Sequence, residues 1–118
     1  MAGAFVACLV ATTPVLAGGD TEAGKNVFKK CALCHTAEPG KNKIGPSLFG
    51  ILGRHPANVQ NFAYSQAMKD LDHDWDEKTL DTYLSDPKAM VPGTKMIFPG
   101  LKEQKDRDDV IAYLTTLK

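Results

Sequence analysis

Cys31-Ala32-Leu33-Cys34-His35 places two thiols three residues apart, with an imidazole directly after the second. On one helical turn, two such sulfurs can reach the vinyl groups along one edge of a porphyrin. The next residue then sets an imidazole under the iron. Cys-x-x-Cys-His is the attachment run of a c-type haem, and a proximal histidine is a standard way of holding haem iron. A bare Cys-x-x-Cys also serves as a redox dithiol or as half of a zinc site. Zinc would need two further ligands. His55 and His73 are the only spare histidines, and no second cysteine pair exists. A thioredoxin-like dithiol wants a βαβ setting, and a plain disulfide leaves His35 without a role. The run therefore favours one covalent haem c on Cys31 and Cys34, with His35 on the iron.

A six-coordinate iron needs a donor on its other face. The free candidates are Met68, Met90, Met96, His55, His73 and several lysines. Met96 lies within Val91-Pro92-Gly93-Thr94-Lys95-Met96-Ile97-Phe98-Pro99-Gly100-Leu101, an apolar-rich loop bracketed by two Pro-Gly pairs. Such a loop can hold a thioether against a buried cofactor, whereas Met68 and Met90 read as adaptable core filler. His/Met ligation raises the potential of haem iron, and a filled sixth position leaves no room for substrate. The expected role is electron carriage, not catalysis. An open or labile sixth position would instead suit a small peroxidase or gas-binding protein.

The elements that must position these groups read as all-α. Asp20 can cap a helix beginning at Thr21, with Glu22 near the positive end of its dipole. Ala23, Val27 and Cys31 share a stripe at spacing four, with Phe28 beside it. Gly24 weakens a helix by about 1 kcal/mol against alanine, which suggests a close crossing with another element. The expected partner is a C-terminal helix over Glu103–Leu117, with Val110, Ile111, Leu114 and Leu117 on its apolar face and Asp106, Asp108 and Asp109 in its first half. Shorter helices fit Ser65–Lys69 and Asp76–Ser85, the latter turning Leu80, Tyr83 and Leu84 inward and ending at Asp86-Pro87. Pro/Gly-punctuated loops join them, and no stretch carries a convincing strand period. Loops that long in a small chain usually wrap something or are disordered.

With 118 residues and 12.8 kDa, the chain has the length of one domain. The 14 Lys+Arg balance 14 Asp+Glu, so the basic footprint of a nucleic-acid binder is missing. All of these charges follow Gly19. Residues 1–17 are uncharged and mostly apolar, are broken by Thr12-Thr13-Pro14, and end with small residues at Val15 and Ala17. They read as a secretory leader cleaved after Ala17, although the usual basic opening is missing. An uncleaved anchor is the rival reading. Cleavage leaves residues 18–118 as the domain and removes Cys8.

From Gly19 to Lys118 the chain resembles a class I cytochrome c of the mitochondrial and bacterial cytochrome c2-like branch. The residues that carry the resemblance are Gly24-Lys25-x-Val27-Phe28-x-Lys30-Cys31-x-x-Cys34-His35-Thr36, Gly45-Pro46-x-Leu48-x-Gly50, Gly53-Arg54, Phe62-x-Tyr64-Ser65, Trp75, Tyr83-Leu84-x-Asp86-Pro87-Lys88, Pro92-Gly93-Thr94-Lys95-Met96 and Ile111-Ala112-Tyr113-Leu114. The resemblance implies a small fold in which the N- and C-terminal helices cross, and short helices and long loops wrap one covalent haem. It implies thioethers at Cys31 and Cys34, and axial ligands His35 and Met96. The Pro46 carbonyl would accept from His35, and Tyr83 would approach the Met96 sulfur. Arg54, Tyr64 and Trp75 would satisfy the haem propionates, with Thr94 nearby. Met68 stands where mitochondrial relatives usually carry Asn, and Ala89-Met90 replaces a Lys-aromatic pair.

Neutral overall, the chain is uneven along its length. Lys25–Lys69 carries seven bases and one acid, and Asp70–Asp86 carries seven acids and one base. The basic stretches hold the Cys31–His35 turn and the Met96 loop, which the class I fold would place around an exposed haem edge. Lys29, Lys30, Lys43, Lys88, Lys95 and Lys102 are expected to form a ring that docks acidic partners. The resemblance implies redox partners such as a cytochrome bc1-type complex, a cytochrome oxidase, a reaction centre or a periplasmic dehydrogenase, met transiently at the membrane by a monomer. The expected location is the bacterial periplasm. Tethering on the periplasmic side of a membrane and the mitochondrial intermembrane space are the alternatives.

Overall fold

The computed structural model describes residues 3–4 and 18–118. The leader expected over residues 1–17, Cys8 included, therefore lies outside the described residues apart from Gly3 and Ala4. Among the described residues five helices follow in order: α1 (Thr21–Phe28), α2 (Gln66–Lys69), α3 (Glu77–Ser85), α4 (Pro87–Met90) and α5 (Gln104–Thr115). No strand occurs among the described residues, and none of their helices is long and apolar enough to cross a membrane.

Asp20 starts α1 as its composition suggests. The carboxylate accepts from the backbone N–H of Glu22 at 2.8 Å and of Ala23 at 3.3 Å, satisfying donors that the first helical turn leaves free. The inward face differs from the expected stripe. Gly24 and Phe28 are the buried residues of α1, one position round from Ala23 and Val27. The reason is the crossing itself. A Cβ at Gly24 would overlap the Asp109 carbonyl and come within 2.9 Å of the Tyr113 Cβ. The two helices thus meet backbone to backbone at the residue with no side chain, and Phe28 packs beside it with its ring centroid 5.1 Å from that of Tyr113.

Helix α5 brings Val110, Ile111 and Leu114 into the core, while Leu117 lies past its end and is half-buried. Asp109, expected in the acidic first half of this helix, does more than complement the helix dipole. It is buried, and its two oxygens take the Asp20 N–H at 2.8 Å and the Lys105 ammonium at 2.6 Å. A buried carboxylate is tolerable only when paired and hydrogen-bonded, and here both oxygens are engaged.

Helix α3 opens with a capping box. The Asp76 carboxylate accepts from Thr79 N–H at 2.7 Å, and the Thr79 hydroxyl accepts from Asp76 N–H at 2.9 Å. Leu80 and Tyr83 face inward. Asp86-Pro87 ends α3 as expected and also begins α4, a short helix that the sequence pattern does not announce. Asp86 is extended and caps Ala89 N–H at 3.2 Å, and Pro87 at the first helical position loses no needed donor. Ser65 caps α2 through Met68 N–H at 3.1 Å. The remaining chain runs as turns and loops around the core formed by α1, α3 and α5 with Ile51, Trp75, Val91 and Leu101.

Candidate haem-binding site

Beyond Phe28 the chain keeps coiling in tighter turns. The N–H groups of Cys31 and Ala32 both donate to the Phe28 carbonyl at 2.8 Å, and those of Cys34 and His35 to the Cys31 carbonyl at 3.0 and 2.9 Å. Cys31 and Cys34 are therefore held one turn apart. Both are half-buried and unpaired. Burial pushes the Cys31 thiol up to about 11, with Lys30 opposing. Catalytic dithiols depend on a lowered thiol pKa, so a neutral, shielded Cys31 argues against dithiol exchange. The zinc alternative fares no better, because no cluster of three or more His, Cys, Asp or Glu suited to a metal exists among the described residues.

His35 is fixed from two sides. Its Nδ1 lies 2.7 Å from the Pro46 carbonyl. A carbonyl only accepts, so the proton sits on Nδ1 and the lone pair on Nε2 remains for a metal. Gly45 packs on the ring, where a Cβ would come within 2.7 Å of Nδ1 and 2.9 Å of Nε2. Burial is the main force holding the His35 pKa below its usual value, with a smaller push from the Arg54 charge, while the Pro46 bond opposes. The net result favours a neutral, ligating imidazole. The 43–46 loop is secured against the cysteine turn by Gly45 N–H to Cys34 O at 2.7 Å and by the Lys43 ammonium to Ala32 O at 2.8 Å.

On the Met96 side, the Tyr83 hydroxyl lies 3.0 Å from Thr94 Oγ1 and points at the Met96 sulfur at 4.0 Å. Met96 N–H donates to Thr94 Oγ1 at 3.3 Å. Trp75 packs its ring 5.1 Å from that of Tyr83. Backbone bonds tie Trp75 to the Arg54 segment, from Gly53 N–H to Trp75 O at 2.7 Å and from Trp75 N–H to Arg54 O at 2.9 Å. The Arg54 guanidinium donates to the carbonyls of Ser47 and Phe49, each at 3.1 Å. It has no carboxylate partner among the described residues, and burial lowers its pKa. A half-buried cation satisfied only by neutral carbonyls suits an anionic group such as a propionate. Tyr64 accepts Val59 N–H at 3.1 Å, which leaves its hydroxyl proton for another acceptor, and rests on Phe62 with centroids 4.8 Å apart. Met68 and Met90, like Met96, pack partly buried against the core.

Lys29, Lys30, Lys43, Lys88, Lys95 and Lys102 are all exposed. Three are tethered to carbonyls: Lys43 as above, Lys95 to Ala63 O and Lys102 to Pro99 O, both at 3.5 Å. Sequence reasoning missed the residues that brace the site from behind. Asn42 accepts Ser47 N–H at 3.0 Å and donates to Gln60 O at 3.2 Å, and the buried Ser47 hydroxyl donates to Glu38 O at 2.5 Å. Gly45 belongs to the Gly45-Pro46 motif, but its packing against the imidazole shows only in the structure. Nothing in residue type or spacing marks these contacts.

The cytochrome c family model matches residues 21–118. Over 101 residues the chain is 52% identical to a cytochrome c of Gibberella zeae, covering 84% of this chain and 95% of that one. It is 46% identical over 113 residues to a cytochrome c2 of Blastochloris viridis, covering 95% and 87%. In structure it is similar to cytochrome cH from Methylobacterium extorquens, with a TM-score of 0.79 and 44% identity over 83% of this chain and 99% of that one. Together with the all-α crossing and the Cys-x-x-Cys-His turn, these findings define a monohaem electron-transfer protein rather than an enzyme. The chain belongs to the cytochrome c family, as a class I member of c2-like type. Membership implies a covalent haem c with His/Met ligation, and exchange of electrons with redox partner proteins.

Proposed function

We propose that this protein moves single electrons from a quinol-oxidising complex of cytochrome bc1 type, or a periplasmic dehydrogenase, to a terminal oxidase or reaction centre. In this reading residues 1–17 are a cleaved leader, and residues 18–118 work as a monomer in the bacterial periplasm. Cys31 and Cys34 hold haem c through thioethers, and His35 and Met96 are its axial ligands. The observation that carries the assignment is the His35 ring. Pro46 fixes one nitrogen at 2.7 Å, directly after two unpaired thiols, and leaves the other free.

When bound, the haem supplies a ferric/ferrous couple that exchanges one electron. The chain supplies the rest. His35, locked by Pro46 and Gly45, keeps one tautomer and one orientation, so little reorganises when charge changes. The Tyr83 hydroxyl aims a positive dipole at the Met96 sulfur, weakening its donation and favouring the reduced state. Arg54 adds a positive charge that likewise favours an electron. Among the described residues, Leu33, Ile44 and Ile97 are the large apolar side chains left exposed. They neighbour Cys34, Gly45 and Met96 respectively, and the exposed Lys43 and Lys95 stand directly beside Ile44 and Met96. That composition suits a partner with an apolar centre and an acidic rim.

The test is an optical spectrum of the purified protein, ferric and ferrous, with and without carbon monoxide, alongside its intact mass. Low-spin ferrous haem c, a weak ferric sulfur-to-iron band and no response to carbon monoxide are expected, with a mass starting at residue 18. A high-spin ferric spectrum or ready carbon monoxide binding would overturn Met96 ligation. A mass that retains residues 1–17 would overturn the cleaved leader.

A further inference from the structure

Residues 94–100 contain no helix or strand, yet Met96 must be held in one place to serve as a ligand. The N-terminal side of this segment is attached to α3 through the Tyr83–Thr94 contact at 3.0 Å. The C-terminal side returns to the same helix. Gly100, at φ 104°, lies against the Ser85 carbonyl, where a side chain would collide. The buried Leu101 donates its N–H to Leu84 O at 2.7 Å.

Arg107 of α5 closes this second attachment. Its Nη1 donates to Leu101 O at 2.6 Å and to Lys102 O at 3.1 Å. Its Nε meets Asp81 Oδ1 of α3 at 2.8 Å, and its Nη2 donates to Gln104 Oε1 at 2.8 Å. Gln104 in turn donates to the same Asp81 oxygen at 2.8 Å. The Arg107 side chain is 11% exposed and that of Asp81 34%, so the guanidinium is largely shielded while the carboxylate is partly open to solvent. Charge-assisted bonds in a shielded setting are the strong ones, and removing one partner strands the other.

We propose that Arg107 is a positioning residue for Met96, with Asp81 as its counter-ion. The inference rests on the reading of Met96 as axial ligand. By clamping the Leu101 carbonyl to α3, Arg107 sets how often the loop lifts the thioether away from the sixth position. Without it the C-terminal attachment retains the Leu101–Leu84 bond and the packing of Phe98, Gly100 and Leu101. Local opening of this kind is governed by the contacts at the segment ends, separately from global unfolding.

Cyanide binding to the ferric holoprotein reads that opening, because cyanide takes the sixth position only after Met96 leaves it. Arg107→Gln is expected to raise the limiting rate about tenfold or more, the scale of one lost hydrogen bond to a charged group, and Arg107→Lys to recover part of the change. Asp109→Asn, which loosens the α1–α5 crossing, serves as the comparison. It is expected to lower the melting temperature while leaving the cyanide rate close to wild type. An unchanged rate in Arg107→Gln overturns the inference, and so does a rise that tracks lost stability equally in both variants. Should Arg107→Gln not fold, Asp81→Asn gives the same readout, supported by faster amide hydrogen exchange at Leu101 in the holoprotein. A wild-type protein without the sulfur-to-iron band would instead defeat the Met96 assignment itself.

Discussion

The carboxylate of Asp109 in α5 accepts the backbone N–H of Asp20 at 2.8 Å, joining the cap of the first helix to the middle of the last across 89 positions. Asp20 caps α1 with its side chain while its own N–H is taken by Asp109. The Lys105 ammonium bond is the main influence holding the Asp109 pKa below its ordinary value, followed by the Asp20 N–H.

A carboxyl whose pKa is depressed on folding adds stability above its unfolded value of about 3.9 and loses it as pH falls through the lower folded value. Melting temperatures between about pH 2 and pH 5 should therefore fall steeply in the wild type. In Asp109→Asn the curve should start lower at pH 5 and fall less over that range. Parallel curves would show that Asp109 titrates alike in both states.

Gly24→Ala should destabilise the fold despite the better helix former. Alanine gains about 1 kcal/mol of helix propensity. The new methyl, however, meets the Asp109 carbonyl and the Tyr113 Cβ, and backbone cannot swing aside as a flexible side chain does. Overpacking typically costs about 1–3 kcal/mol, and at a backbone crossing the net loss is expected near its upper end. Denaturant unfolding of the holoprotein measures it.

Tyr83→Phe removes the hydroxyl that faces Thr94 and Met96 and leaves the ring against Trp75. Stability should change by no more than about 1.5 kcal/mol, the net scale of one hydrogen bond. The midpoint potential should fall, because a sulfur relieved of a donor gives more density to iron and favours the oxidised state. Redox titration checks the sign, and a rise would count against this reading.

Gly45→Ala drives a methyl into the His35 ring and should break the Nδ1–Pro46 bond or displace the imidazole. A lower haem c yield, or a mixed-spin ferric spectrum, is the expected result. An unaltered spectrum with wild-type stability would mean that the loop yields at no cost.

Charge reversal at Lys43 or Lys88 should slow association with an acidic partner several-fold at low salt, with the difference shrinking as salt is added. Reversing Asp72 or Asp74 should change little. Ile97→Ser should act mainly on dissociation, since a side chain 95% exposed in the free protein gains contact only in a complex. Stopped-flow kinetics separates the two rates, and equal effects from lysine and aspartate reversals would remove the oriented-docking idea.

What could be read ahead depends on how local the cause is. Asp20, Ser65 and Asp76 announce their helices because a cap acts within three residues, and all three cap in the structure. Gly24 announces a close crossing because nothing else explains glycine in that helix. The Cys31–His35 spacing shows its chemistry because the cofactor demands it. Asp109 and Arg107 hid for the opposite reason. Besides nearby partners, each holds one far along the chain, Asp20 at 89 positions and Asp81 at 26, so in sequence they look like ordinary helix charges. Pro87 misled because proline ends one helix and starts the next with equal ease, and only the extended backbone at Asp86 shows that it does both.

The crossing of α1 with α5 also ties the far end of the chain to the cysteine turn. Gly24 and Phe28 take cover from Asp109 and Tyr113, and the Phe28 carbonyl in turn holds the N–H groups of Cys31 and Ala32. The turn with the two thiols is thus hung from a residue whose place is set by the last helix, so damage close to the C-terminus should be felt at Cys31 and Cys34.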